Sequence, residues 1–87
     1  MRIVFMGTPD FAVPSLIAFH SSHHQIVAVV TQPDRPSGRG LKLRSPEIKI
    51  KAIELGYPVL QPESLKSDEF YSQLRDCYPD ILVVLAF

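Results

Sequence analysis

Four short apolar runs punctuate the chain, and segments rich in proline, glycine and charge separate them. Arg2–Met6, Gln25–Thr31, Pro58–Gln61 and Asp80–Ala86 read as strands. They are continuous apolar runs, with none of the polar alternation that marks a sheet with one wet face. Three helical patterns fill the gaps. Phe11 to about Ser21 reads as the first helix, with Leu16, Ile17 and Phe19 among its apolar positions. Pro14 is tolerated only in a first turn, so the regular helix starts at Phe11 or later. Ser45-Pro46 predicts a second start, Ser45 as N-cap and Pro46 at the first helical position, with a stop at Gly56. Ser67-Asp68-Glu69 opens a third helix, acids in the turn where the helix dipole favours them, and Pro79 prevents its extension.

The resulting order, β-α-β-α-β-α-β, predicts an α/β fold with a parallel sheet covered on both faces. Right-handed crossovers make it the N-terminal part of a doubly wound, Rossmann-like sheet, its four strands in the order 3-2-1-4 with three crossover helices. The strand order reverses between strands 1 and 4. Ligands in such sheets bind outside the carboxyl ends of the strands at that reversal. The expected site is therefore flanked on one side by Gly7-Thr8. The last apolar strand would lie uncovered at an open edge, so the 87 residues are expected to be the N-terminal, truncated part of a larger domain.

Charge changes this picture at one place. The chain carries nine basic and nine acidic residues, yet Thr31–Lys51 holds six of the nine cations: Arg35, Arg39, Lys42, Arg44, Lys49 and Lys51. After Lys51 acids dominate. Residues 32–44 read as a loop without regular structure, longer than the usual strand-to-helix connection. In Asp34-Arg35-Pro36-Ser37-Gly38-Arg39-Gly40, turn residues alternate with guanidinium groups that can fork onto phosphates. Two readings stand: a nucleic-acid contact that orders on binding, or a solvated arm kept soluble by its arginines.

The remaining candidates exclude more than they assign. Gly7-Thr8-Pro9-Asp10-Phe11 lies between the first strand and helix. It offers a backbone that can approach a ligand, a hydroxyl, and free amides that favour anions. It is neither a dinucleotide fingerprint nor a phosphate loop, and it reads equally as an ordinary turn with Asp10 as a cap. His20, His23 and His24 cluster without a carboxylate or thiol at ligand spacing, so no metal is assigned. No nucleophile, base and orienting group converge, so no catalytic residue is assigned. The single cysteine, Cys77, cannot form an internal disulfide, reads as a small apolar filler, and fits a reducing cytoplasm. No apolar run approaches the roughly 20 residues of a membrane span, and no signal segment precedes the first strand.

A resemblance covers essentially the whole chain. Arg2–Ala12, then Thr31-Gln32-Pro33-Asp34-Arg35-Pro36-Ser37-Gly38-Arg39-Gly40, then Ser45-Pro46, Gly56–Val59, Gln61-Pro62 and Asp80–Ala86 resemble the opening of the methionyl-tRNA formyltransferase family. Related formyltransferases share the strand-turn-helix, but those acting on sugars or nucleotides lack the Thr31–Gly40 loop. The resemblance implies transfer of a formyl group from 10-formyltetrahydrofolate to the α-amine of methionine on initiator tRNA, in the cytoplasm, by a full-length protein expected to be monomeric. It implies that the loop enters the acceptor arm of the tRNA, with Arg39 first and then Arg35, Lys42 and Arg44 as contacts. The family's catalytic Asn, His and Asp, and most of its folate pocket, would lie beyond residue 87. Gly7, Thr8, Asp10 and Phe11 would form a wall of the substrate site, and the chain would be inactive alone. The competing expectations are a free-standing nucleic-acid-binding module and a folate-dependent formyltransferase for another amine.

Overall fold

A computed structural model describes residues 1–38, 40 and 42–87. The strands form where apolar runs were expected. β1 (Arg2–Gly7) pairs in parallel with β2 (Gln25–Val30), Phe5 opposite Val29. The hairpin strands β3 (Arg35–Ser37) and β4 (Lys42–Arg44) stand outside this sheet. β5 (Val59–Leu60) extends the sheet beside β2, and β6 (Ile81–Leu85) beside β1. The sheet order β5-β2-β1-β6 is the expected 3-2-1-4 once the hairpin strands are set aside.

The hairpin corrects the expectation of a loop without regular structure. β3 and β4 are antiparallel, with Arg35 opposite Arg44, Pro36 opposite Leu43 and Ser37 opposite Lys42. Gly38 and Gly40 take φ of 72° and 81°, conformations glycine adopts freely and that let the chain reverse between two three-residue strands. Strands this short, carrying charge where a buried strand carries apolar residues, leave no periodicity to read.

Helix boundaries follow local capping chemistry. A single 3-10 turn (Asp10–Ala12) leads into α1 (Val13–His20), whose Pro14 sits in the first turn, where a missing N–H costs nothing. α2 (Glu47–Glu54) begins one residue later than expected. Pro46, not Ser45, is its N-cap: Pro46 is extended and its carbonyl accepts from the Lys49 and Ile50 amides. The Ser45 hydroxyl is spent on Asp34 instead. α3 (Asp68–Asp76) has the expected cap, Ser67 Oγ accepting the Phe70 N–H at 3.1 Å.

The end of α3 is held by a residue far away in sequence. Tyr78 takes a left-handed φ of 49°, which costs a non-glycine residue about 1 kcal/mol. The Arg2 guanidinium donates to the freed carbonyls of Cys77 (2.6 and 3.2 Å) and Tyr78 (3.1 Å). The Arg2 N–H also donates to Asp80 Oδ2 at 2.7 Å, so one residue locks the start of β1 to the α3–β6 connection.

Two cores sandwich the sheet. Phe5, Leu16, Val29, Ile48 and Ala52 are buried under α1 and α2. Val4, Met6, Ala28, Val30 and Phe70 are buried on the α3 side. β1 and β2 are covered on both faces, which explains their uninterrupted apolar sequence. β6 is different: Ile81, Leu82 and Val84 are 42%, 44% and 59% exposed although their side chains are as apolar as those of β1.

Candidate functional site

The carboxyl ends of the strands converge around Thr8. Its N–H donates to the Ala86 carbonyl at 3.1 Å, joining the ends of β1 and β6. Its hydroxyl lies 3.2 Å from that of Thr31 and accepts the Gln32 N–H at 3.1 Å, joining β1 to the chain leaving β2. The Gln32 amide donates to the Phe87 carbonyl at 3.3 Å. The reversal between β1 and β6 is therefore stitched by backbone and hydroxyl groups. Gly7 is part of that stitch. A methyl group at its Cα would sit 3.1 Å from the Leu85 carbonyl, 3.2 Å from the Phe5 ring and 3.3 Å from Ala12 Cβ. The room that its missing side chain leaves is taken by the protein itself.

The hairpin grows from this same edge. Residues directly opposite in an antiparallel pair project to one face, so Arg35 and Arg44 stand side by side, with Lys42 two residues from Arg44 on that face. All three are exposed. The Arg35 guanidinium donates to Gln32 Oε1 at 3.0 Å, which links the hairpin to the Thr8 cluster.

Asp34 occupies the base of the hairpin. Its carboxylate accepts from Gln61 Nε2 at 2.7 Å, from Lys49 Nζ at 3.1 Å to both oxygens, and from Ser45 Oγ at 3.0 Å. Donors from three segments thus meet on one carboxylate: the start of α2, the turn before it, and the residue after β5. Those hydrogen bonds, Gln61's foremost and then Lys49's, hold the Asp34 carboxyl below its ordinary pKa. Gln61 also donates to the Gln32 carbonyl at 3.1 Å. Local patterns in the sequence do not reveal this cluster, because the partners lie 11, 15 and 27 residues from Asp34. The available signal was a lone acid at the head of a run of cations.

An open cleft of about 490 Å³ lies between the hairpin and the β1 turn. Thr8, Asp10, Gln32, Arg35, Arg44 and Glu47 contribute to its lining. The structure thus brings together four of the expected site residues: Thr8 and Asp10 on one wall, Arg35 and Arg44 on the other. Gly7, Phe11 and Lys42 are not among its lining residues; Gly7 is buried, and Phe11 is exposed within the 3-10 turn. Arg39, the first-ranked contact, lies outside the described residues.

Two of the three histidines bond other parts of the protein. His20 Nδ1 bonds the Tyr57 hydroxyl. His24 Nδ1 lies 3.2 Å from the Met1 ammonium, and desolvation together with His23 and that ammonium lowers its pKa. Among the described residues no three His, Cys, Asp or Glu side chains form a group that could hold a metal ion, and no helix is long and apolar enough to cross a membrane.

A four-stranded parallel sheet with helices packed on both faces defines the class: an α/β, Rossmann-like fold, here bearing a cationic hairpin. The chain belongs to the formyl transferase family, whose model matches residues 1–87. It is 55% identical to the methionyl-tRNA formyltransferase of Moorella thermoacetica and 56% identical to that of Stenotrophomonas maltophilia strain R551-3. Each match takes in all of this chain and 28% of the relative. The methionyl-tRNA formyltransferase of Desulfotalea psychrophila is 55% identical over the whole chain and 27% of its own length. The chain therefore spans little more than a quarter of the relatives it matches.

Proposed function

We propose that these residues form the N-terminal part of the catalytic domain of an enzyme that formylates initiator methionyl-tRNA from 10-formyltetrahydrofolate. The reaction places it in the cytoplasm at translation initiation. The observation that carries the reading is the cross-strand pair Arg35–Arg44. Two like charges directly opposite in a short exposed hairpin destabilise it. The arrangement makes chemical sense when an anion lies between or across them, and a phosphate backbone is such an anion. The relatives' printed names and their high identity supply the tRNA and the formyl transfer.

In this reading the hairpin grips the acceptor arm of the tRNA through Arg35, Arg44, Lys42 and Arg39. The cleft beside Thr8 and Asp10 forms one wall of the space in which the aminoacyl end lies. The α-amine attacks the formyl carbon, the bond from that carbon to the folate nitrogen breaks, and the proton the amine gives up is balanced by one taken up at the folate nitrogen. No catalytic set exists among the described residues. In this reading the 87-residue chain is inactive alone.

The test is a formylation assay on the full-length polypeptide. Transfer of a formyl group to initiator methionyl-tRNA is expected. Arg35→Ala with Arg44→Ala should raise KM for tRNA about 10- to 100-fold, roughly 1.4 kcal/mol for each factor of ten. KM for the formyl donor should stay unchanged. Salt-dependent tRNA binding without formyl transfer would instead identify a binding module, and transfer to a different amine would reassign the substrate.

A further inference from the structure

We infer that Asp34 is a positioning residue: its carboxylate clamps the neck of the β3–β4 hairpin and so presents the Arg35–Arg44 pair to the tRNA. The inference rests on the reading above and adds a residue that this reading does not need.

The geometry is specific. The hairpin's first residue, Arg35, directly follows Asp34, and its last, Arg44, directly precedes Ser45. The 3.0 Å bond from Ser45 Oγ to Asp34 Oδ2 closes the loop immediately below the arginine pair. The hairpin has only three residues per strand, and its first cross-strand pair is repulsive. A two-stranded ribbon of that kind is not stable by itself. Something at its base must hold the two arms together, and Asp34 stands there. The clamp is in turn tied to rigid elements: Lys49 of α2 reaches both carboxylate oxygens at 3.1 Å, and Gln61, just after β5, reaches one at 2.7 Å. Gln61 also bonds the Gln32 carbonyl, and Gln32 receives the Arg35 guanidinium. The position of Arg35 is thus fixed from its backbone side by Asp34 and from its side-chain end by Gln32.

An ion pair between Lys49 and Asp34 alone would contribute little, since their side chains are 23% and 28% exposed. The convergence of donors from three segments onto one carboxylate distinguishes a joint from an incidental surface pair. Preorganising a cationic arm lowers the ordering cost that binding would otherwise carry. The effect should therefore fall on tRNA affinity and leave the chemical step alone.

The test uses the full-length polypeptide and steady-state formylation. Asp34→Ala should raise KM for tRNA about 10-fold while kcat and KM for the formyl donor stay within about twofold. Asp34→Asn keeps an acceptor for Ser45 or Gln61 but forfeits the charge, and should fall between wild type and Asp34→Ala. Ser45→Ala, a milder change that spares the fold, should raise KM for tRNA about threefold. Combined with Asp34→Ala it should add nothing further. Arg35→Ala separates this inference from the reading beneath it. If Arg35→Ala raises KM for tRNA and neither Asp34→Ala nor Ser45→Ala does, the clamp is wrong and the tRNA reading stands. If none of the three alters KM for tRNA, the tRNA reading itself fails. A parallel change in kcat and both KM values on Asp34→Ala, with lowered thermal stability, would assign Asp34 to folding and overturn the inference.

Discussion

At the residue scale, single side chains connect parts of the fold that no local pattern joins. Arg2 caps the end of α3, Thr8 ties β1 to both β6 and the segment after β2, and Asp34 ties the hairpin to α2 and the residue after β5. Asp34 also sets a pH window. Its folded pKa is depressed by donors from Gln61, Lys49 and Ser45, so the anchoring it supplies is complete above the unfolded carboxylate value of about 4. It is lost only as pH falls through the lower folded value. Backbone chemical shifts of the hairpin amides, followed by NMR from about pH 8 to pH 3, should stay level down to about pH 4 and then move, and Asp34→Ala should abolish that inflection. A transition between about pH 5 and pH 7 would show that some other group controls the hairpin.

At the element scale, capping decides where helices begin, and two serines of similar sequence context behave differently. Ser67 caps α3 through the Phe70 N–H. Ser67→Ala should cost about 1 kcal/mol in urea unfolding of the full-length polypeptide, and an unchanged midpoint would deny the cap its role. Ser45 precedes a proline and was expected to cap α2, yet its hydroxyl serves Asp34, and Pro46 takes the capping position. The difference marks the limit of legibility. The sheet order was readable because buried parallel strands must be continuously apolar, and Ile3–Met6 and Ile26–Val30 are. Ser67 was readable because its bond closes within three residues. The hairpin was not, because its strands are three residues long and oppose arginine to arginine. The Asp34 cluster was not, because its partners are brought in by the crossovers. Of the candidate site, Thr8, Asp10, Arg35 and Arg44 were named from sequence and meet in one cleft. Gln32, Asp34 and Gln61, which organise that cleft, were missed.

At the scale of the whole molecule, the sheet is asymmetric in its covering. β1 and β2 are buried on both faces, whereas β6 shows Leu82 and Val84 to solvent. This chain covers 28% of the Moorella and Stenotrophomonas relatives, and in the proposed reading their further residues pack against β6 and bring the reacting groups to the crevice. The division of labour then follows from position. In the proposed function the β1–β6 reversal locates the chemistry, and the hairpin, rooted at the same sheet edge, locates the nucleic acid.

The central claim is that the paired cations on this hairpin bind tRNA phosphates, and salt dependence tests it most directly. Initiator tRNA binding to the full-length polypeptide should weaken linearly in log affinity against log salt concentration. The double variant Arg35→Ala, Arg44→Ala should reduce the slope by about two, close to one for each phosphate no longer neutralised. An unchanged slope, with affinity intact, would contradict the account.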